Sequence, residues 1–323
     1  MLQVTHTITI GSDKYSSPAH SRLISLDQSS RMDTLVNVCS LIMAPPAGLT
    51  IEPDDDIEVE LGNGNSSGVV FTGKVLETDW RIKEVRVSAS SSARLLSLAR
   101  YNMYFEKYSA GQIVTDICNE ASVSAGQVDD GITFDYYAIA DNRDAADHIR
   151  NLARLCGFEA HTDEKDQVVF AASSPGTPHP LKYAVNILEA SIRIHAEGYV
   201  ETDFYGESPS SFGQGSSAST WFTKTEVSGT ASKGSGLTLP FFNPSIRTVD
   251  QASTVAQSYL DYWKAKKKGF VSILGDPDIK PGDAVQIDDM PVNSQNGLYK
   301  VTGVEHRINR IKGFITRLTL KEI

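Results

Sequence analysis

The chain has 323 residues, 40% of them hydrophobic and 22% charged, with a formal net charge of -10. That length predicts about two domains of ordinary size, and the composition is that of a folding polymer rather than a disordered one. The acidic balance argues against nucleic-acid binding, which needs clustered Lys and Arg, and with no apolar run near the ~20 residues that span a bilayer, no membrane insertion is expected.

The opening MLQVTHTITIGSDKY has neither the basic head nor the apolar stretch of a signal peptide, so synthesis in the cytoplasm is expected. Cys39, Cys118 and Cys156 are odd in number and sit among apolar neighbours, which predicts buried free thiols rather than disulfides or a metal site.

In chain order, Val4, His6, Ile8 and Ile10 alternate with Thr5, Thr7 and Thr9, the period of a half-buried strand. Ile57, Val59 and Leu61 repeat it, as do Val85, Val87 and Ala89, with LGNGNSSG between them as a hairpin turn. Residues 1-90 therefore read as a first antiparallel β-barrel. From residue 91 the period changes. SSARLLSLAR is a short helix, Ser109 caps a second one, and a third runs from near Asn142 to a stop at Gly157. FEAHTDEKDQVVFA reads as a hairpin turning at Glu164 to Asp166, which makes residues 91-180 an α/β insert.

Residues 181-323 read as a second β-barrel. It includes a Gly/Ser-rich excursion at 206-238, expected to be mobile because it buries too little to offset its ordering entropy. A helix is expected at 250-268, capped by Asp250 and ended by Gly269, with Lys264, Lys266, Lys267 and Lys268 in its last turn against the negative end of the helix dipole. The final strands return to period 2. The order DIEVEL, FTGKVLE, EVRVSA resembles DAVQI, YKVTGVE, FITRLTL, a repeat of pattern that predicts two related barrels.

Catalytic and cofactor signatures are missing. There is no HExxH and no paired Cys or His spacing that includes His148, His161 or His306, and no GxSxG nucleophile elbow, since the GNSSG within LGNGNSSG belongs to a hairpin turn and not to a strand-to-helix turn. Gly62, Gly64 and Gly68 lack the strand-to-helix context of a dinucleotide site. Asp54, Asp55 and Asp56, and the set Asp276, Asp278, Asp283, Asp288 and Asp289, lack EF-hand spacing and match turn chemistry instead. No catalytic, cofactor or metal residue is therefore expected.

The C-terminal run GDPDIKPGDAVQI, GLYKVTGVEHRI, GFITRLTL resembles the end of the phage late-control D family, the baseplate hub proteins of contractile tails and related injection systems. Gly275, Pro277, Ile279, Pro281, Gly282, Asp283, Tyr299, Val301, His306, Gly313, Phe314, Thr316 and Leu318 fit its pattern. VFTGKV, AGQIVTDICNEA and YAIADNRDAADHIRNLARLCGFEAHTD agree as well.

The resemblance implies a β-rich α+β chain of two related antiparallel β-barrels with an α/β insert, forming a trimeric ring. It would be a non-enzymatic symmetry adapter between a hexameric tail tube protein and a trimeric central spike protein, in contact with other baseplate proteins. Its place would be the tail baseplate of a virion or injection particle, assembled in the host cytoplasm. Because the chain stops at KEI, just after the last predicted strand, a spike or lysozyme-like domain is expected on a separate polypeptide. The competing readings are a tail-associated cell-wall hydrolase and a carbohydrate-binding β protein, for which Trp221 and Phe222 are the exposed aromatic candidates.

Overall fold

The computed structural model describes residues 4-18, 21-45, 50-196, 199-207, 227-234, 236-263, 265-309 and 311-323. The first seven strands are β1 (Thr5–Ile10), β2 (Asp13–Ser16), β3 (Leu23–Arg31), β4 (Val38–Met43), β5 (Asp56–Gly62), β6 (Ser67–Trp80) and β7 (Val85–Ser90). Their alternation places Ile8, Leu26, Leu41, Val59, Phe71 and Val87 on one inner face, all fully buried.

The insert contains α1 (Arg94–Leu98), β8 (Met103–Ser109), α2 (Ala110–Glu120), β9 (Ala125–Val128), β10 (Thr133–Ile139), α3 (Ala145–Cys156), β11 (Phe158–Thr162) and β12 (Val168–Ala172). Ser109 caps α2 in a reciprocal capping box with Gln112. Asp144 caps α3 by accepting the Asp147 N–H at 2.7 Å, and Gly157 closes that helix. The β11–β12 turn is held by Asp163, which accepts the N–H groups of Lys165 and Gln167 at 2.9 and 2.8 Å.

The remainder comprises β13 (His179–Lys182), β14 (Ile187–Ile194), β15 (Tyr199–Tyr205), β16 (Ser228–Ser232), β17 (Leu237–Phe242), α4 (Val249–Trp263), β18 (Lys267–Leu274), β19 (Ala284–Asp288), β20 (Gly297–Asn309) and β21 (Gly313–Glu322). Several sequence expectations need correction here. Residues 228-232 and 237-238 belong to strands beside β15, because Ala231 and Val227 supply apolar side chains to a shared core; residues 208-226 of the expected excursion lie outside the described residues.

Helix α4 ends at Trp263, not at 268. Thr248 caps it, accepting the Gln251 N–H at 3.2 Å, and Asp250 only sits in the first turn. Lys267 and Lys268 are strand residues, Lys267 pairing with Glu322 at 3.2 Å, so they cannot crowd a helix end. Gly269 is likewise a strand residue: a Cβ there would lie 2.0 Å from the Ser191 carbonyl oxygen, so close approach of β14 is what requires glycine. α4 and the β15–β17 sheet bury their apolar faces in one core with α2 and α3.

Both strand sets lie in a single 13-stranded, largely antiparallel sheet with the order β14-β18-β21-β20-β3-β4-β7-β6-β5-β1-β2, β19 and β13 branching from β20. The sheet is curled, in the manner of a half-barrel. The expectation of two separate barrels is modified accordingly. β20 is 13 residues long: its first part pairs with β19, and its second part reaches across to β3.

The pairings of the two halves correspond strand by strand. β5-β6-β7-β4-β3 and β19-β20-β21-β18-β14 are both fully antiparallel. The register of β6 on β7 slips between Val75 and Glu77, and that of β20 on β21 slips between Val301 and Gly303. A second slip falls between Leu23 and Ser25 in β3 and between Ile187 and Glu189 in β14. Bulges at matching places bend both halves alike. The halves differ in two places: β1 runs antiparallel to β5 but β13 runs parallel to β19, and the register of β5 on β6 slips between Val59 and Glu60 while that of β19 on β20 runs without a slip.

Candidate assembly site and the buried seam

The turns before β5 and β19 use the same chemistry. Ile51 and Ile279 anchor them in the core at 2% and 1% exposure. Asp55 accepts the Glu52 N–H at 2.9 Å, and Asp283 accepts the Lys280 N–H at 2.8 Å. The Val75 N–H donates to Asp55 O at 2.9 Å, and the Val301 N–H to Asp283 O at 2.8 Å. Asp54 and Gly282 occupy the one left-handed position of each turn, with φ of 72° and 99°. Ile-x-Pro-(Asp/Gly)-Asp is therefore a strand-launching turn used twice.

Where β20 meets β3, polar side chains are buried: His306 at 3%, Gln28 at 2%, Ser30 at 7% and Thr316 at 0%. His306 Nδ1 lies 3.0 Å from Thr316 Oγ1, which in turn accepts the Asp276 N–H at 2.9 Å. Burial pushes the His306 pKa down to about 3, so the ring is neutral at ordinary pH. A cleft of about 190 Å³ opens beside this seam, lined by Gln28, Val70, His161, Glu164, Lys280 and His306 among others. Burial lowers the His161 pKa as well.

The insert is fastened over the seam. Lys280 pairs with Glu164, Lys300 pairs with Glu159, and the buried Asn37 donates to Thr162 O at 2.9 Å. Desolvation and the charge of Lys321 bring the Lys300 pKa down to about 8.

The residues weighed from sequence fall into structural places. His148 Nε2 lies 3.2 Å from Ala140 O. Asp56 pairs with Lys74 at 2.9 Å, Asp276 accepts the Asp278 N–H at 3.0 Å, and Asp288 accepts from Gln286 at 2.9 Å. Among the described residues no group of three or more His, Cys, Asp or Glu converges as a metal site. All three cysteines are buried, and burial raises the thiol pKa values, to about 12 for Cys118 and about 11 for Cys156. Ser21 Oγ lies 3.0 Å from His6 Nε2, a pair that sequence reasoning missed because 15 positions separate the two; no carboxylate hydrogen bond to His6 accompanies it among the described residues. Trp221 and Phe222 lie outside the described residues.

The arrangement thus concentrates its special features on strand edges. Among the described residues β14 ends the sheet, with one bridge from Tyr183 to Ile187 beyond its pairing with β18, and Leu188 and Ile194 on it are exposed, as are Trp80 at the end of β6 and Ile82 just after it. No family model matches the sequence, and no curated relative matches it.

Solved structures do match. The 43 kDa tail protein of prophage MuSo2 from Shewanella oneidensis is similar over 99% of this chain and 98% of that one, with a TM-score of 0.71 at 13% identity. The tail protein from Neisseria meningitidis MC58 covers 99% and 96%, with a TM-score of 0.73 at 13% identity. A type VI secretion component from E. coli, described as similar to the bacteriophage T4 tail proteins gp27 and gp5, covers 98% and 76%, with a TM-score of 0.61 at 10% identity. The chain has the fold of these tail proteins along nearly its whole length.

Proposed function

We propose that this chain is a structural, non-enzymatic hub of a phage tail or related contractile injection system, a homotrimer that adapts a hexameric tube to a trimeric spike. The observation that supports the reading is the internal correspondence: two strand series with matched order, two register slips at matching places and the same launching turn, in one polypeptide. Three such chains offer six similar docking surfaces on one side while keeping true threefold symmetry on the other. The full-length likeness to tail proteins supports the same reading.

In this reading residues 1-90 and the strands of 181-323 are the tube-facing half-barrels. The insert, joined by α4 and its three-stranded sheet, forms the outer body that other baseplate proteins meet. The protein works in the baseplate of the particle after assembly in the host cytoplasm, and it needs no cofactor or metal.

Electron microscopy of the isolated particle, with the mass of the complex measured in parallel, tests the reading. Three copies between tube and spike are expected. Six copies, one copy, or a position away from the tube axis would overturn it.

A further inference from the structure

We infer that a second copy of this chain adds its β14 to the free flank of β6 as an antiparallel strand, with Asp79 opposite Arg193, and that this contact closes the ring. The inference rests on the trimeric reading above and supplies its contact surface.

The structure contains one version of this contact already built. β20 carries β3 along the flank it frees after leaving β19, with Val304 opposite Ser30, Glu305 opposite Ser29 and His306 opposite Gln28. β6 is the counterpart of β20, and β14 is the counterpart of β3. Trp80 stands opposite Val85 as His306 stands opposite Thr316, and Ile192 stands opposite Gly269 as Gln28 stands opposite Cys39. Yet β6 and β14 of the same chain are not neighbours in the sheet. Each chain therefore exposes one half of a contact whose other half is also its own, the condition for head-to-tail association.

Transferring the built register puts Glu77 opposite His195, Thr78 opposite Ile194, Asp79 opposite Arg193 and Trp80 opposite Ile192. The inward-facing rungs then pair Trp80 with Ile192 and Thr78 with Ile194, apolar but for the Thr78 hydroxyl. Trp80 is 45% exposed and Ile194 53% exposed in the single chain, whereas the counterpart of Trp80 in the built seam, His306, is 3% exposed. Asp79 and Arg193 bring opposite charges onto the outer face, as Arg307 and Asp27 do across the built seam at 3.2 Å. Because the two halves are already joined once within each chain, repeating the same step between chains turns two halves per chain, and six half-barrels close as three chains.

The Met32 N–H donates to Thr302 O at 2.9 Å, which makes the next rung, Arg31 and Gly303, a pair without mutual hydrogen bonds. Its counterpart is Glu77 and His195, and such rungs place Cα atoms about 4.5 Å apart, within disulfide reach.

The test is a Glu77→Cys/His195→Cys double variant, oxidised within isolated particles and run without reductant. A covalent series of one, two and three chains that stops at three is expected. Three copies per particle with no interchain disulfide would overturn the pairing while leaving the hub reading intact; a series running past three would overturn the closure; a particle without three copies would overturn the hub reading itself. A second arm uses charge. Arg193→Asp and Asp79→Arg are each expected to weaken self-association about tenfold, and the double reversal to restore it. Failure of the double reversal to restore association counts against this register.

Discussion

Asp55 and Asp283 hold the same place in two turns almost the whole chain apart, each carboxylate accepting the backbone N–H three residues before it, at 2.9 and 2.8 Å. Each also offers its carbonyl to the strand that carries the bulge, Val75 or Val301. Replacing either Asp with Ala should lower stability by ~1 kcal/mol, because a backbone donor in the turn loses its charged acceptor, while Asn should keep most of the bond. Urea unfolding of the four variants checks this. Equal stability of Asp283→Ala and the parent would show that the turn is held by Pro281 and Gly282 alone.

Gly269 sets how closely β14 lies on β18. With a Cβ at 2.0 Å from Ser191 O there is no room for a methyl group, and backbone cannot swing aside like a flexible side chain. Gly269→Ala should cost ~1–3 kcal/mol as overpacking. It should also loosen β14, so amide exchange in Ala190 to Arg193 ought to quicken more than in Leu41 or Val87. Uniform exchange across the two regions would argue that β14 is not held through this contact.

His306 should make stability depend on acidity. Its folded pKa, about 3, lies below the unfolded value of 6.5, so between those values the unfolded chain binds the proton that the folded chain refuses. Stability from this group is complete above about pH 6.5 and falls as the pH drops toward about 3, by ~1.4 kcal/mol per unit. His161 acts in the same direction. Unfolding free energies of the parent and of His306→Gln, compared at several pH values through this window, should diverge with acidity. Parallel curves would mean that the His306 pKa is the same in the folded and the unfolded chain.

The thiols should be silent. Cys39, Cys118 and Cys156 are all buried, and burial raises each pKa, so a thiol reagent at mildly alkaline pH should label none of them in the folded chain and all three in denaturant. Fast labelling of any one in native buffer would reveal an opening that the packed core does not show.

Much of the local structure was legible in the residues. Period-2 alternation located β1, β5 and β7, and Ser109 and Gly157 marked helix ends, because capping and alternation depend only on residues a few positions apart. The pattern repeat was legible too, but its register was not. Strand spacing set Asp56 against Asp283, whereas the hydrogen bonds set Asp55 there, since alternation cannot count the residues absorbed in a turn. The run from Lys264 to Gly269 misled for a related reason: a basic stretch ended by glycine is a helix-end signal, but here the glycine answers to Ser191 on a neighbouring strand.

Residue order alone was enough for the inventory: β-rich, with three insert helices, a fourth near the end, buried thiols and two similar strand series. Long-range folding settled that both series share one sheet through β20 and β3, that α4 packs with the insert helices, and that among the described residues Ile192 to Ile194 of β14 and the end of β6 each pair on one flank. The reason is physical. Propensity and periodicity are carried by near neighbours in the chain, but which strand edge lies beside which depends on the edges that long-range folding leaves unpaired, and that is recorded in no single stretch of residues.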